Sequence, residues 1–370
     1  MIFEFPQLKG SYGIGITKRH LIDEGRKESH NPEAQRELMA FIWYPANVDK
    51  NSLAPYRQDE IEETKTTLKQ MGYPEQDLND IDKIYSHAVV NANLLTKNAP
   101  YPVILFSHGY LSGMPKMYTA ACEEVASHGY IVVSIAHTYF TASVTFPGGR
   151  IIKPVAEKYT QTRFPEEDLK TWIEDVKFVL DSLNKMNNDK NDQFYKSFDL
   201  DRIGMFGHSL GGTVAFELCL NDQRIKAGIN LDGFIWGDTK ANDLNKPFLF
   251  MLAQGSVDHF EAMTDEEVAS KYSVDIEQQK ETRKNFEKIY KHLKQTDLIK
   301  SVVIPNINHF GFTDFLLLKE LPIYKNNKNI SDYIAIAGSA DGYKTMNLIN
   351  EYIVGFFDKY IKNISINEKE

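Results

Sequence analysis

The pentapeptide GHSLG places Ser209 between two glycines. A serine in a GxSxG pattern can act as a nucleophile when a sharp turn after a strand lifts its hydroxyl above the edge of a sheet. Average residue usage would produce the pattern by chance in roughly one chain in ten of this length, so its surroundings must decide. The apolar run RIGMF precedes the motif and the helix-like run TVAFELCL follows it. This strand–turn–helix context predicts that Ser209 is a nucleophile rather than an incidental turn residue.

The order of residues along the chain narrows the choice of general base. Where a GxSxG turn carries a nucleophile, an acid and then a histidine follow it in sequence. Three histidines lie downstream of the serine, namely His259, His292 and His309. His292 lies in a charged, helix-like segment, whereas His309 follows the last apolar run, in SVVIPNINHFGFTDF. Because a loop at the C-terminal end of that strand can reach the serine, His309 is predicted to be the base.

Two aspartates are candidates for the acid that orients this imidazole. Asp232 ends the apolar run AGINLD, and Asp258 follows the next run, in PFLFMLAQGSVD. Both stand where a strand is predicted to end, and either carboxylate could accept a hydrogen bond from imidazole Nδ1–H. Spacing alone leaves the two alternatives open.

Two backbone amides are predicted to bind a developing oxyanion. One is the N–H of Leu210, the residue after the nucleophile, and the other should come from the loop after an earlier strand. The run VILFSHGY ends such a strand. Gly109 permits a turn there that presents the N–H of Tyr110 inward. His108, directly before that glycine, is interpreted as a structural hydrogen-bonding residue rather than as the base.

Short apolar runs that alternate with helical patterns must position these residues. Most of the runs are continuously apolar, as in strands that are buried on both faces, so the sequence predicts a doubly wound α/β fold with a mostly parallel central sheet. The predicted strands are 37–45, 101–109, 129–138, 202–207, 226–232, 246–255 and 301–306, and the predicted helices are 115–128, 165–187, 210–220 and 342–362. Two polar segments, near 50–98 and 256–298, interrupt the alternation. Both are expected to be helical excursions, serving as lids or substrate walls or only as solvated decoration.

The composition argues against several classes of partner. The 370 residues are 42% hydrophobic, carry a net charge of −9 and include only two cysteines, Cys122 and Cys219. An acidic chain has no global basic field, so no nucleic-acid partner is expected. The cysteines lie in apolar, helix-like segments and are expected to be buried free thiols. No Cys/His spacing indicates a zinc site, and no metal is expected.

The N-terminal residues and the hydropathy of the chain indicate where in the cell the protein is expected to reside. The opening MIFEFPQLKGSYGIGITKRH lacks a basic start followed by a long apolar region, so no signal peptide is visible. No apolar run approaches the ~20 residues that cross a bilayer. The chain is therefore expected to be soluble and cytoplasmic, without stable membrane insertion. A chain trimmed of its leader would look the same, so secretion stays open, and the sequence does not indicate an oligomeric state.

Longer stretches of the chain resemble a known family. They are GSYGIGITKRHLID, QRELMAFIWYPA, PVILFSHGYLSG, EEVASHGYIVVSIAH, RIGMFGHSLGGTVAFELCLNDQRIKAGINLDGF and NHFGFTDF. Over most of its length the chain resembles the platelet-activating factor acetylhydrolases of the plasma and intracellular type II group, within the α/β-hydrolase superfamily. The resemblance implies a single α/β-hydrolase domain over residues 1–370.

The resemblance also implies a role for each candidate residue. The family nucleophile is the serine of GHSxGG, which matches Ser209, and the family base is the histidine before an FxDF segment, which matches His309. The family acid is the aspartate of an NLDG-like strand end, which favours Asp232 over the later aspartate. The oxyanion amides fall on Tyr110 and Leu210.

The reaction implied by the resemblance is hydrolysis of short-chain esters through an acyl-enzyme, without a cofactor. Acetyl groups of phospholipids such as platelet-activating factor are the family's signature substrates. The charged segment 256–298 departs from the animal enzymes, and their apolar docking surface for membranes or lipoproteins has no obvious counterpart. A broad carboxylesterase, dienelactone-hydrolase-like or polyester-cleaving, therefore stays open as an alternative. A non-catalytic binding homologue is a third alternative, against which the complete set of Ser, Asp and His argues.

Overall fold

Most of the strands lie side by side in one sheet. A computed structural model describes residues 3–48, 53–56, 65, 83–110, 115–155, 166–272, 275–319, 321 and 337–364. The strands within these residues are β1 (Gly13–Glu28), β2 (Asn31–Asn47), β3 (Leu53–Pro55), β4 (Tyr85–Val90), β5 (Asn93–Leu94), β6 (Tyr101–Ser107), β7 (Ile131–Ala136), β8 (Val144–Thr145), β9 (Ile151–Ile152), β10 (Phe198–His208), β11 (Ile225–Leu231), β12 (Phe248–Ala253) and β13 (Ile299–Ile304). Their order in the sheet is β13-β12-β11-β10-β6-β7-β2-β1-β4-β3, with β5 paired to β2, while β8 and β9 form a separate hairpin.

The six strands from β13 to β7 are parallel, and all of them except the edge strand β13 are covered on both faces. Every residue of β6 is buried. Ile104 and Phe106 belong to one hydrophobic cluster, whereas Val103 and Leu105 belong to another. Because successive side chains of a strand point to opposite faces, the two clusters are the two faces of the sheet. The predicted parallel, doubly covered sheet is confirmed.

A long antiparallel hairpin extends the sheet beyond the predicted strands. β1 pairs with β2 from Gly13 opposite Ala46 to Glu28 opposite Asn31, and β2 pairs antiparallel with β7. The predicted strand 37–45 is only the inner part of β2. The outer part of β2 and the second half of β1 are charged and partly exposed, so they lack the apolar run that marks the buried strands.

The described part of the segment 50–98 consists mainly of strands, so the helical expectation is wrong for Leu53–Pro55, Tyr85–Val90 and Asn93–Leu94. β4 pairs in parallel with β1 and antiparallel with β3, and β5 pairs with β2. In β4, the residues YSHAVV alternate between more and less buried positions and are rich in aromatic and β-branched types. Both properties favour a strand at the side of a sheet. That expectation also covers residues 50–52, 57–64 and 66–82, which lie outside the described residues.

Helices cover the two faces of the sheet. The α-helices among the described residues are α1 (Thr119–Ser127), α2 (Glu166–Asn188), α3 (Leu210–Asn221), α4 (Gln254–Ala262), α5 (Asp265–Tyr272), α6 (Ile276–Tyr290), α7 (Phe315–Leu318) and α8 (Gly342–Tyr360). α1 and α8 pack on one face through residues such as Cys122 and Phe357. α2 and α3 pack on the other face through residues such as Trp172 and Val214. The bounds of α2, α3 and α8 agree with the predicted helices to within two residues.

The charged segment 256–298 forms the helices α4, α5 and α6. Asp275 caps α6, because its carboxylate accepts a hydrogen bond from the backbone N–H of Gln278 at 2.9 Å. Arg283 of α6 contacts Asp265 of α5, with 2.6 Å between Nε and Oδ1. These bonds tie the helices to one another beside the sheet.

The parallel strands end at one edge of the sheet, and this edge is where the candidate site residues lie. Five strands end at this edge: β6 at Ser107, β10 at His208, β11 at Leu231, β12 at Ala253 and β13 at Ile304. In open α/β sheets, ligands bind outside the carboxyl ends of the strands.

In the part of the chain that the structure describes, no helix is long and apolar enough to span a membrane. Cys122 and Cys219 are buried free thiols, as predicted.

Candidate active site

Ser209 occupies a strained turn between β10 and α3. Its φ of 55° and ψ of −122° lie outside the regions that residues with a Cβ normally adopt. A Cβ on Gly207 would lie 2.2 Å from the carbonyl carbon of Gly211, and a Cβ on Gly211 would lie 2.1 Å from the oxygen of Ser107. Both clashes are with backbone atoms, so glycine is required at each position for α3 to pack this closely on the sheet. The turn leaves Ser209 partly exposed at the N-terminus of α3.

Asp232 and His309 are in direct contact at the same edge. The Nδ1 atom of His309 lies 2.8 Å from the Oδ2 atom of Asp232. The carboxylate is almost completely buried, whereas the imidazole is 36% exposed. The arrangement favours the tautomer with the proton on Nδ1, and it leaves Nε2 as the ring nitrogen that can accept a proton.

Two further hydrogen bonds fix the Asp232 carboxylate. Its Oδ1 atom accepts from the backbone N–H of Ala253 at 2.8 Å, and its Oδ2 atom accepts from the hydroxyl of Ser256 at 2.6 Å. Asp232 itself has a φ of 56°, a left-handed conformation that turns the chain sharply at the end of β11. The side chain is therefore held from β12 and α4 as well as by the imidazole of His309.

Ser209 and Asp232 lie on adjacent strand ends. The backbone N–H of Ser209 donates to the oxygen of Leu231 at 2.8 Å. A Cβ on Gly233 would lie 2.1 Å from the backbone oxygen of Ser209. The two turns thus pack against each other through their backbones, and this packing brings the candidate nucleophile beside the Asp232–His309 pair.

The other downstream candidates lie elsewhere. Asp258 is exposed on α4, where it lines a shallow surface cavity with Gln254 and Asn306. His259 lies on the same helix with its ring against Phe260. His292 is exposed just after α6. Of the two aspartates that spacing left open, Asp232 is the one whose carboxylate contacts His309.

The two candidate oxyanion amides flank Ser209. Leu210 is the first residue of α3, and the N–H groups of a helix's first turn have no partners within the helix. On the other side, a Cβ on Gly109 would lie 3.5 Å from the Cβ of Ser209. Tyr110 follows that glycine, and its hydroxyl donates to the carboxylate of Asp168 at 2.6 Å. The loop after β6 is therefore beside the serine, as the sequence predicts.

The chain matches a known protein family over nearly its whole length. The family model described as platelet-activating factor acetylhydrolase, isoform II, matches residues 3–368. The chain belongs to this family. The predicted resemblance is confirmed.

Curated relatives carry names of the same kind. The chain is 27% identical to the platelet-activating factor acetylhydrolase of Cavia porcellus over 288 residues, which are 70% of this chain and 58% of that protein. It is 33% identical to a probable 1-alkyl-2-acetylglycerophosphocholine esterase of Arthroderma benhamiae over 141 residues, which are 38% of this chain and 33% of that protein. The chain thus spans less than two thirds of the length of these relatives.

A solved structure shares the whole fold. The ferulic acid esterase from Streptomyces cinnamoneus superposes with a TM-score of 0.75 at 25% sequence identity. The match covers 98% of this chain and 94% of that structure. The predicted α/β-hydrolase fold is confirmed.

His208 is a member of the site that sequence reasoning missed. Its Nε2–H donates to the backbone oxygen of His309 at 2.9 Å, and its Nδ1 accepts from the hydroxyl of Tyr118 at 2.9 Å. The same hydroxyl accepts from the N–H of Gly109 at 3.3 Å. Burial, followed by the nearby imidazole of His309, lowers the pKa of His208 well below its usual value, so the ring is neutral. The position of His208 directly before Ser209 in GHSLG is the feature of the sequence that could have indicated its place in the site.

Asp314 anchors the loop that carries His309. Its carboxyl oxygens accept from the backbone N–H groups of Thr119 at 2.9 Å and Ala120 at 3.1 Å, at the start of α1. The hydroxyl of Tyr56 donates to it at 3.1 Å. Burial raises the pKa of Asp314 to about 7. The aspartate of the FTDF segment is therefore structural, and it joins the His309 loop to the opposite side of the site.

The described residues contain no group of three or more His, Cys, Asp or Glu side chains arranged to hold a metal ion. The Asp232–His309 pair is bonded internally and to backbone and hydroxyl groups. Chemically, the arrangement is suited to removing a proton from the hydroxyl of Ser209.

Proposed function

We propose that this protein is a serine esterase in which Ser209 is the nucleophile, His309 the general base and Asp232 the acid that orients it. The observation that carries the proposal is the 2.8 Å contact between His309 Nδ1 and Asp232 Oδ2 beside a strained Ser209. Membership of the platelet-activating factor acetylhydrolase, isoform II, family supports the same chemistry.

The reaction proceeds through an acyl-enzyme. As the Ser209 hydroxyl attacks the ester carbonyl carbon, its proton moves to Nε2 of His309. The backbone N–H groups of Tyr110 and Leu210 bind the oxyanion of the tetrahedral intermediate, aided by the positive end of α3. His309 then protonates the leaving alcohol, and the serine keeps the acyl group. Water activated by His309 releases the acid and restores the enzyme.

The substrates are short-chain esters, with sn-2 acetyl groups of phospholipids as the leading class. The names of the relatives from Cavia porcellus and Arthroderma benhamiae support this class. The test compares an acyl-chain series of phospholipids with simple esters. A preference for sn-2 acetyl phospholipid over simple esters supports the assignment, and a clear preference for simple esters would count against it.

A broader carboxylesterase is the second candidate. It is favoured by the structural match to a ferulic acid esterase, which covers nearly the whole chain. A panel of aryl esters and head-group variants separates the two candidates. If the enzyme hydrolyses aryl esters, and if changing the phospholipid head group does not alter its rate, the result favours the broader carboxylesterase.

Ser209→Ala tests the chemistry itself. The variant should lose turnover of p-nitrophenyl acetate, and it should no longer react with a fluorophosphonate probe. Near wild-type turnover in Ser209→Ala would refute the nucleophile assignment. Failure of the wild-type protein to react with the probe would favour a non-catalytic binding homologue.

A further inference from the structure

A buried polar cluster lies behind the loop that follows β6. His108 and His137 are completely buried, as is Asp175, and Arg36 is nearly so. The Nδ1 atom of His137 lies 2.9 Å from Asp175 Oδ2, and its Nε2 atom lies 3.1 Å from the hydroxyl of Ser107. These contacts have the pattern of a Ser-His-Asp triad. Because no part of the cluster is exposed, its role is to orient neighbouring groups rather than to hydrolyse a substrate.

The cluster holds the backbone of His137 in a fixed place. Asp175 receives two hydrogen bonds from the guanidinium of Arg36, of 3.0 Å to Oδ1 and 2.5 Å to Oδ2. The imidazole of His137 stacks on the ring of Trp172, with 3.9 Å between centroids and 10° between planes. A fully bonded buried network of this kind is rigid.

His108 takes its tautomer from this network. The backbone N–H of His137 donates to His108 Nε2 at 3.2 Å, so Nε2 must be the unprotonated nitrogen. Nδ1 lies 2.7 Å from the carbonyl oxygen of Gly109, so Nδ1 must carry the proton and donate it. Burial, with a smaller contribution from His137, lowers the pKa of His108 to about 3, which keeps the ring neutral.

The hydrogen bond from His108 sets the direction of the next amide. In a trans peptide unit the carbonyl and the N–H point in opposite directions. Anchoring the Gly109 carbonyl on the buried side therefore aims the Tyr110 N–H away from His108. The N–H of Gly109 is already bonded to the hydroxyl of Tyr118 at 3.3 Å, so the glycine is held at both its N–H and its carbonyl.

We propose that His108 is a positioning residue that aims the Tyr110 amide at the oxyanion. His137 holds His108 in the required tautomer through its backbone N–H. This inference rests on the proposed esterase function, because only a reaction with an oxyanion intermediate would use the amide.

A pair of variants separates the two hydrogen bonds of His108. In His108→Asn, the side-chain amide stands where Nδ1 stood and still donates to the Gly109 carbonyl. In His108→Gln, the longer side chain can still accept from the His137 N–H but no longer holds that carbonyl. We expect His108→Gln to lower kcat about 10- to 100-fold with little change in KM, since loss of a whole oxyanion donor costs 100-fold or more. His108→Asn should keep most of the wild-type kcat.

A second readout distinguishes positioning from support of the fold. The inhibition constant of an aryl trifluoromethyl ketone, which forms a tetrahedral oxyanion on the serine, should rise in His108→Gln by the factor by which kcat/KM falls. Wild-type kcat in His108→Gln would overturn the inference, as would an equal loss of kcat in His108→Asn.

The tautomer can also be read in the unaltered protein. In a sequentially assigned ¹⁵N-histidine NMR spectrum, the His108 ring should be neutral, carry its proton on Nδ1 and stay neutral down to about pH 4. The assignment is needed because Nδ1 of His137 faces the Asp175 carboxylate and also carries a proton. Absence of such a ring would overturn the inference even where a variant does not fold. If the wild-type protein hydrolyses no ester, the proposed function fails, whereas this spectrum still reports on His108.

Discussion

Replacing Asp232 with Asn reverses one hydrogen bond while it preserves the shape of the side chain. The amide oxygen can still accept from the backbone N–H of Ala253, and the hydroxyl of Ser256 can rotate to accept from the amide nitrogen. The third contact is with Nδ1 of His309, which in the wild-type protein lies 2.8 Å from the carboxylate oxygen Oδ2. In the variant, an amide N–H takes the place of that oxygen. The imidazole must then accept at Nδ1 and carry its proton on Nε2, so it cannot act as the base.

The expected loss of kcat follows from this tautomer. In the Ser-His-Asp template the corresponding change lowers kcat about 10⁴-fold, which is roughly 5.5 kcal/mol of transition-state stabilisation. Asp232 is nearly fully buried and makes three hydrogen bonds, so water cannot replace the carboxylate. We expect Asp232→Asn to lower kcat about 10³- to 10⁴-fold, with little change in KM.

The measurement is the rate of p-nitrophenyl acetate hydrolysis, with thermal unfolding to establish that the variant is folded. Asp258→Asn is the matched control, because this aspartate is exposed on α4 and should keep wild-type kcat. The reasoning would be refuted by a folded Asp232→Asn that keeps more than a tenth of the wild-type kcat. It would equally be refuted by an Asp258→Asn variant that loses activity.

Three further changes probe the supports of the site. Ser256→Ala removes a hydrogen bond to the Asp232 carboxylate, and it should lower kcat/KM about tenfold in the same assay. Gly211→Ala places a Cβ 2.1 Å from the oxygen of Ser107, and it should lower the free energy of unfolding in urea by about 3 kcal/mol or more. Asp314 has a folded-state pKa of about 7, above its unfolded value of about 3.9. The folded protein therefore retains a proton that the unfolded chain releases, so this residue should make Tm fall as the pH rises from 4 to 7.

Matched variants give the control for each of these changes. Ser256→Thr keeps the hydroxyl and should keep most of the activity; equal losses in both variants would contradict the hydrogen-bond argument. Gly25→Ala meets only the side chain of Asp23 and should unfold like the wild type. Asp314→Asn cannot titrate, so its Tm should depend less on pH between 4 and 7 than that of the wild type. An unchanged dependence would show that another group is responsible.

The sequence predicts the parallel half of the fold well because burial on both faces leaves a plain signature. Nearly every position is buried in β6, β7, β11, β12 and the second half of β10, from Ile203 onward, and each of these stretches is mainly apolar. The hairpin of β1 and β2 is less visible, since half of it faces solvent and its residues are mixed in type. The helical expectation for Tyr85–Val90 was wrong because it was based on the polar character of the whole segment 50–98, whereas these six residues have a local strand pattern and pair with β1 and β3.

The site is predictable where a residue type has one plausible role. Ser209 and His309 are marked by a turn motif and by chain order, and the structure places both at the same edge of the sheet. The choice between Asp232 and Asp258 could not come from spacing, because both follow a strand. The contact depends on the left-handed turn at the end of β11, which the sequence alone does not reveal. The contribution of His208 was missed for a similar reason, since its partners are a distant hydroxyl and a backbone carbonyl.

The gathering of strand ends at one edge has a consequence for biosynthesis. A nascent chain acquires the candidate oxyanion loop first, then Ser209 and then Asp232, and of these groups β13 and the imidazole of His309 come last. The contact between Asp232 and His309 joins residues 77 positions apart, so we expect the pocket to close only when β13 has paired with β12. If the proposed triad is correct, an unfinished or truncated polypeptide carries Ser209 without its base, and we expect it to be inert toward esters. Recovery of turnover during refolding should accordingly report the arrival of the last strand rather than the collapse of the core.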